Sequence, residues 1–299
     1  MYLKLLSILL PLILGYLFYF KNKKILLLTH HFLGIMIYII LFFMGITLAL
    51  LENVKIHLIS IFTYTIVFFC CTFTANIIAL LFLDKFFPWK IAKNENKKPV
   101  FRLKMIFSSL PLLGMLILGF LIGLTKFPIL FYAKYGIEIT VMLILLMVGF
   151  HLRNSGMHLK NILINFRGGS IALIVASSAL LGGVIAAALL GLPIKVGLAI
   201  SAGYGWYSLT GILLTDVYGP VIGSTAFFND LMRELAAIII IPVIINQFRS
   251  TALGICGSTS MDVTLPILQH NGGVSILPVA IANGFLLSLV TPLLMVFLT

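Results

Sequence analysis

The stretch FFNDLMRELAAIIIIPVII, residues 227–245, decides how the chain must fold. Its second part, residues 235–245, is an apolar run that covers only about 16 Å as a helix, at about 1.5 Å per residue. A membrane span needs about 20 residues. If this segment crosses a membrane, its helix must therefore reach back to about Phe227 and carry the charged part of the stretch into the bilayer.

Three charged side chains, Asp230, Arg233 and Glu234, would then lie within the membrane. A carboxylate at that depth is costly, and such a residue is by default a functional one. On a helix Asp230 can pair with Arg233 and shares a face with Glu234. The alternative is that Asn229 or Asp230 caps the helix at the membrane surface, which leaves the span too short. We predict that these four residues belong to a substrate or proton site.

The composition supports a membrane protein. Hydrophobic residues make up 61% of the 299 residues and charged residues only 9%. Apolar runs of roughly 18–25 residues recur along the chain, each long enough to cross a bilayer. The class predicted is an all-α polytopic membrane protein in contact with lipid. The net charge of +12 reflects basic loops rather than binding to nucleic acid.

No cofactor or metal site is predicted. The three cysteines lie in apolar surroundings, where they are typical small core residues, and the six histidines lack the spacing of zinc ligands. Neither a serine-hydrolase motif nor a Gly-x-Gly-Asp protease motif occurs in the sequence. We therefore expect a protein that is not an enzyme.

The apolar runs and the basic loops predict a topology. The predicted spans are 2–20, 32–51, 57–83, 106–125, 135–151 and 170–190, followed by less regular runs at 194–218, 220–246, 252–268 and 274–298. With the N-terminus outside, fourteen Lys and Arg residues fall in inner loops and five in outer segments. The positive-inside rule therefore predicts that the N-terminus and the C-terminus are both outside.

The first six spans resemble an internal repeat. A shift of 104 residues brings Gly15 onto Gly119 and Gly45 onto Gly149, each with similar neighbours. Three spans per repeat place the second copy upside down, which is the inverted-repeat pattern of secondary transporters. The predicted domains are a scaffold-like inverted repeat over 1–190 and a substrate-site domain over 191–299. The scaffold consists of 1–85 and 106–190, joined by a cytoplasmic linker over 86–105.

The last third contains two Gly-rich interruptions, SAGYGWYSLTG (201–211) and GICGSTSMD (254–262). A second, weaker repeat at an offset of 54 relates them and brings Asn229 onto Asn283. Broken helices are tolerated in a membrane where they line a cavity, and their free backbone groups can bind substrate. Both segments are either re-entrant, which gives about eight spans, or discontinuous spans, which gives ten. The first route is favoured because it keeps Arg249 inside.

Polar residues beside the interruptions are candidates for the same site. For most of them a structural alternative stays open. Asp262 lines the site or caps the local backbone, Trp206 and Tyr207 line it or pack, and Glu52 is functional or an ordinary interfacial residue. The candidates of this kind are Glu52, Trp206, Tyr207, Ser208, Ser258, Thr259, Ser260 and Asp262.

Five motifs together resemble the bacterial lysine exporter family, formerly a family of unknown function. They are LFFMGITLALLEN (41–53), VGFHLRNSGM (148–157), SAGYGWYSLTGILLT (201–215), YGPVIGSTAFFNDLMRELAAI (218–238) and RSTALGICGSTSMDVTLPILQ (249–269). The resemblance covers essentially the whole chain and is densest in the last hundred residues. It implies eight spans, both termini outside, and export of L-lysine and its analogues through the bacterial inner membrane.

The resemblance also implies a pair of intramembrane acids, which fall on Glu52 and Glu234. The family often has Asp at the first of these positions. Acids that bind either a substrate amine or a proton can couple the two, so exchange of lysine for protons is predicted. The alternative is a secondary transporter of another amino acid, an organic anion or Na⁺. A passive channel and a homo-oligomer are also left open.

Overall fold

A computed structural model of the protein describes residues 10–11, 14–19, 23–50, 54–89, 110–154 and 165–299. Within these ranges the chain is helical and forms no strand. The main helices are α1 (Lys23–Ala49), α2 (Val54–Phe86), α3 (Leu110–Gly123), α4 (Ala133–Asn154), α5 (Phe166–Leu190), α6 (Ile194–Ser201), α7 (Tyr207–Tyr218), α8 (Pro220–Ile244), α9 (Arg249–Gly254), α10 (Leu265–Gly272) and α11 (Leu277–Leu298).

The helices have the length and composition of membrane spans. Within the described residues, three stretches combine at least 18 residues with high hydropathy, namely Lys55–Phe86, Phe166–Leu190 and Leu277–Leu298. Helix α8 is as long, at 25 residues, but it carries three charged side chains. The prediction of an all-helical transmembrane protein is confirmed, whereas the number of spans and the positions of the termini stay predictions.

One compact unit comprises 1–60, 108–157 and 212–224. Within it, glycines bring helix backbones into contact. A methyl group at Gly15 would fall on the Leu146 carbonyl oxygen, and one at Gly119 would fall on the Phe42 carbonyl oxygen. Residues 42 and 146 are themselves 104 apart, as Gly15 and Gly119 are. The two glycines related by the first repeat thus contact positions that the same repeat relates.

The other unit comprises 61–107, 158–211 and 225–299. Here Gly182 of α5 allows close contact with α2, because an added methyl group would lie 2.7 Å from the Thr72 Cα. Ser178 of α5 donates a hydrogen bond of 2.7 Å to Asn76 Oδ1 of α2. These contacts join the two long helices on which the broken segments pack. The predicted division into scaffold and substrate domains concerns function rather than packing, and stays a prediction.

The order of elements in the last third repeats at the offset of 54. A shift by 54 residues carries α6 onto α9, α7 onto the region of α10, and α8 onto the span of α11 with its preceding turn. The glycines that precede the long helices are both left-handed, with φ of 88° at Gly219 and 82° at Gly273. Because L-residues with side chains avoid this region, glycine suits the turn in both copies.

Both Gly-rich segments are interrupted, as predicted. Helix α6 ends at Ser201 and α7 begins at Tyr207. Helix α9 ends at Gly254, and a short 3₁₀ helix, Gly257–Met261, precedes α10. The predicted runs 194–218 and 252–268 are therefore each two helices with a break between them. Whether each segment crosses the membrane or re-enters stays a prediction.

Some predictions fall on residues outside the described part of the chain. These are most of the first span, Glu52, and the linker from residue 90 onward.

Gly119 and Gly114, both on α3, should differ in their tolerance of a side chain, because only Gly119 lies close to another backbone. We expect Gly119→Ala to lower the free energy of unfolding by about 1–3 kcal/mol, because the methyl group has no room. Gly114→Ala should leave the stability unchanged or raise it by up to about 1 kcal/mol, since nothing lies within 4 Å of its added methyl group. Thermal unfolding of the detergent-purified variants measures both. Equal effects of the two substitutions would contradict the packing.

Candidate functional site

The polar residues of the opening stretch lie in the middle of a buried helix. Helix α8 begins at Pro220, so Asp230 lies about 15 Å along it. Asp230 and Glu234 are each only 1% exposed, and Arg233 is 4% exposed. The alternative in which Asn229 or Asp230 caps the helix at the membrane surface is therefore wrong, because nine helical residues, 220–228, precede Asn229.

Asp230 binds the first break. Its Oδ1 accepts a hydrogen bond from the Gly205 amide at 3.1 Å, and its Oδ2 accepts one from the Thr210 hydroxyl at 2.7 Å. The Asn229 side chain donates to Oδ1 at 3.2 Å. A methyl group at Gly203 would fall on Oδ2, so the glycine is needed for the carboxylate to approach. Asp230 thus stabilises a backbone N–H that no helix satisfies.

Arg233 binds the second break. Its Nε donates to the Ile255 carbonyl at 3.1 Å, and its Nη2 donates to the Gly254 carbonyl at 3.2 Å. These carbonyls lie at the end of α9, where a helix leaves its last C=O groups without intrahelical partners. A guanidinium carries several N–H donors in a fixed plane, which suits two adjacent carbonyls. Asp230 and Arg233, about one turn apart on α8, therefore bind the two breaks through hydrogen bonds.

The two breaks contact each other directly. The Ser258 amide donates to the Tyr204 carbonyl at 2.8 Å. The backbone there is left-handed at Tyr204, Gly205 and Gly257, with φ of 51°, 92° and 62°. A methyl group at Gly257 would fall on the Tyr204 carbonyl oxygen. We define this contact between 202–206 and 255–261 as the crossing.

Helix α11 supports the crossing from another direction. Asn283 Nδ2 donates to the Gly257 carbonyl and to Ser260 Oγ, both at 3.0 Å. Ser260 Oγ in turn donates to the Ala280 carbonyl at 2.9 Å. At Gly284 an added methyl group would lie 2.7 Å from the Ser258 carbonyl oxygen. The second break is thus bound by α8 through a cation and by α11 through an amide.

Glu234 lies at the same depth as these residues. It follows Arg233 directly and is buried, on the turn of α8 from which Arg233 donates to the Gly254 and Ile255 carbonyls. This position places an acid beside the second break. Its predicted partner, Glu52, lies outside the described residues.

The remaining predicted residues have different environments. Thr259 uses its hydroxyl locally, donating to the Cys256 carbonyl at 2.8 Å. Asp262 accepts a hydrogen bond from the Val263 amide at 2.6 Å, and whether it also lines the site stays a prediction. Tyr207 packs edge-on against Phe227, with ring centroids 5.7 Å apart. Trp206 is half-buried and Ser208 is buried.

An acid outside the predicted set anchors the second segment. Asp84, at the end of α2, accepts hydrogen bonds from the Ser250 and Thr251 amides at 3.0 and 2.8 Å. It also accepts one from the Thr251 hydroxyl at 2.8 Å. This carboxylate therefore caps the first turn of α9 from another helix, as a side-chain cap commonly does within a chain.

Sequence reasoning missed several residues that the structure brings to the crossing. Asn283 had a usable signal, because the offset of 54 aligns it with Asn229. Thr210 had one as well, since the same offset aligns it with Thr264. Tyr204 also had one, because the same offset aligns it with Ser258, whereas Asp84 had none, since its role in capping α9 depends on tertiary contacts. Within the described ranges, no three His, Cys, Asp or Glu side chains lie close enough together to hold a metal ion.

Comparison with known proteins identifies the family of this chain. The model of the family described as "Lysine exporter LysO" matches residues 113–299. The chain belongs to the lysine exporter family. It is 49% identical over 293 residues to the lysine exporter LysO of Escherichia coli K12, covering 98% of each chain. It is 42% identical over 186 residues to a putative lysine exporter of Haemophilus influenzae Rd, covering 62% of this chain and 95% of that relative. No solved structure matches.

The bond between Thr210 and Asp230 can be tested by a double-mutant cycle. Thr210→Val removes the hydroxyl, which donates to Asp230 Oδ2 at 2.7 Å and also to the Trp206 carbonyl of its own helical turn at 3.1 Å. We expect it to lower the free energy of unfolding by about 1.5–3 kcal/mol, because the lost hydrogen bond is to a charged acceptor. In an Asp230→Asn background the same change should cost less than half as much. Denaturant unfolding in detergent measures all four proteins.

A matched control is Thr291→Val. Among the described residues this buried threonine donates only to the Leu287 carbonyl of its own helix, so its loss should cost less than about 1.5 kcal/mol and should not depend on Asp230. An unchanged cost of Thr210→Val in the Asp230→Asn background would contradict the assignment.

Proposed function

We propose that this protein is a secondary transporter of the bacterial inner membrane that exports L-lysine and lysine analogues in exchange for protons, and that it is not an enzyme. The observation that carries the proposal is the buried acid Glu234, in the middle of α8 and beside a broken segment. The identity of 49% to a lysine exporter, over 98% of each chain, supports the choice of substrate.

The geometry distributes roles among the charged residues. Asp230 and Arg233 each bind backbone groups of a break, so they act as frame residues rather than as substrate ligands. Glu234 is the acid of α8 that we assign to the substrate. Lysine carries two ammonium groups and one carboxylate, and a buried carboxylate is a natural partner for an ammonium group.

Coupling follows from competition at one carboxylate. If Glu234 holds either a proton or a substrate amine, then a proton must leave before lysine binds. Protons that enter the cell down their gradient then drive lysine outward. The resemblance assigns a second acid, Glu52, to the same process, and we propose that the two acids share it.

Two features support the inverted repeats of the proposed topology, which places both termini outside. The reciprocal contacts of Gly15 and Gly119 are those expected if two copies are related by a twofold axis. The broken helices are the elements that transporters of this kind use for binding at the membrane midplane. We propose eight spans together with the two broken segments.

Arg233 separates this proposal from the export of an organic anion. A transporter of anions would need a cationic side chain available to its substrate. The Nε and Nη2 atoms of Arg233 donate to the Ile255 and Gly254 carbonyls, so an anion would meet only the remaining N–H groups of this guanidinium, and we take a cationic substrate as the better fit.

Proteoliposomes with an acidic interior and a trapped pH-sensitive dye test the proposal. Addition of L-lysine outside should make the interior more alkaline as lysine enters and protons leave. Glu234→Gln keeps the shape of the side chain but cannot ionise. It should reduce lysine flux and the pH change together by at least about tenfold, a loss that corresponds to about 1.4 kcal/mol.

Asp216→Asn is the matched control. This acid lies near the end of α7 and is half-buried, so its neutralisation should leave both signals close to those of the wild type. Wild-type flux in well-folded Glu234→Gln protein would contradict the role of Glu234. Lysine flux that ignores the pH gradient would contradict the exchange.

A further inference from the structure

Four buried oxygens, two at the crossing and two on the helices that support it, lack a hydrogen-bond partner in the described part of the chain. The hydroxyls of Tyr204 and Ser258 and the Oδ1 atoms of Asn229 and Asn283 have no hydrogen-bond partner within the described residues. All four side chains are at most 4% exposed. An unsatisfied polar atom in such a place costs about 1–3 kcal/mol, so several together indicate a ligand or water.

The repeat relates these oxygens in pairs. Residues 204 and 258 are 54 apart, and so are residues 229 and 283. Each copy thus contributes one hydroxyl and one amide oxygen. The Ser258 amide also donates to the Tyr204 carbonyl, so the two equivalent positions contact each other. Corresponding residues meet in this way only near the axis that relates the copies.

The orientation of the Asn283 amide follows from its partners. The Gly257 carbonyl can only accept a hydrogen bond, so the atom that contacts it must be Nδ2. Ser260 Oγ donates to the Ala280 carbonyl and is therefore an acceptor toward Asn283. Oδ1 is left as an acceptor. The amide of Asn229 is oriented in the same way by the Asp230 carboxylate.

The two copies differ in charge. The first copy has Asp230 and Glu234, whereas positions 54 residues later hold Gly284 and Ser288. At these two positions the first copy carries carboxylates and the second copy carries none, and the acid of the second copy, Asp262, lies just beyond the crossing. An acceptor without charge can bind an N–H donor, but it gives no attraction to a carboxylate.

We propose that Ser258 Oγ and Asn283 Oδ1 accept hydrogen bonds from a protonated primary amine of the substrate. They form the neutral half of a two-part site whose charged half contains Glu234. This assignment rests on the proposed function, and lysine, with one amine for each half, fits it.

Ser258→Ala tests the assignment with the smallest possible change. The Ser258 hydroxyl makes no hydrogen bond in the part of the chain that the structure describes, so its removal should leave the melting temperature of the lysine-free protein unchanged or raise it. Lysine raises the melting temperature of a protein that binds it. We expect the Kd taken from this shift to rise about tenfold, and the KM for transport to rise more than kcat falls.

Ser178→Ala is the control for the loss of a buried hydroxyl. Ser178 bonds Asn76 away from the crossing, so its variant should melt at a lower temperature and bind lysine as the wild type does. If Ser258→Ala instead binds lysine with an unchanged Kd, the hydroxyl does not accept a hydrogen bond from the substrate and the proposal is overturned. A shift produced by sodium chloride alone and lost in Ser258→Ala would also overturn it.

The outcomes separate this proposal from the proposed function. Absence of any lysine-induced shift or transport in the wild type would refute lysine export itself. Loss of transport in Glu234→Gln, together with wild-type binding and transport in Ser258→Ala, would refute only the neutral half-site.

Discussion

The arrangement depends on how the free backbone groups of two broken helices are satisfied inside a membrane. Lipid offers them no hydrogen bonds. Asp230 accepts from the Gly205 amide, and Arg233 donates to the Gly254 and Ile255 carbonyls. The two charges lie on neighbouring turns of α8 and compensate each other, which lowers the cost of burial. The anion Asp230 accepts from the free N–H of the first break, and the cation Arg233 donates to the free C=O groups of the second break.

This use of charge explains why three charged residues occur so close together in a chain with few of them. Two of them build the frame, and the third, Glu234, is the one we assign to transport. Around the frame, the crossing brings equivalent residues of two copies into contact, as in the hydrogen bond from Ser258 to Tyr204. Duplication supplies matching polar atoms, and divergence leaves Gly284 and Ser288 at the positions that match Asp230 and Glu234. A site with one charged and one neutral half suits a substrate whose two amines differ.

The sequence predicted much of this arrangement, because its evidence is local. Span length predicted that Asp230 and Glu234 lie within a long helix rather than at its start, and glycine content located both breaks. Sequence could not assign Arg233 to carbonyls 21 and 22 residues away, since such contacts depend on packing. The same reason hid Asp84, which caps α9 from 166 residues away. Asn283 was within reach, because the repeat aligned it with Asn229, but a repeat by itself does not indicate which aligned residues meet.

The central claim is that Glu234 and the crossing bind lysine while Asp230 and Arg233 hold the backbone. A cryo-EM structure of the wild-type protein with L-lysine in a lipid nanodisc tests it most directly. The account predicts lysine density at the crossing, with one amine within hydrogen-bond distance of Glu234 and with the bonds of Arg233 to residues 254 and 255 intact. Lysine density with its carboxylate on Arg233, and those carbonyl bonds broken, would contradict the account.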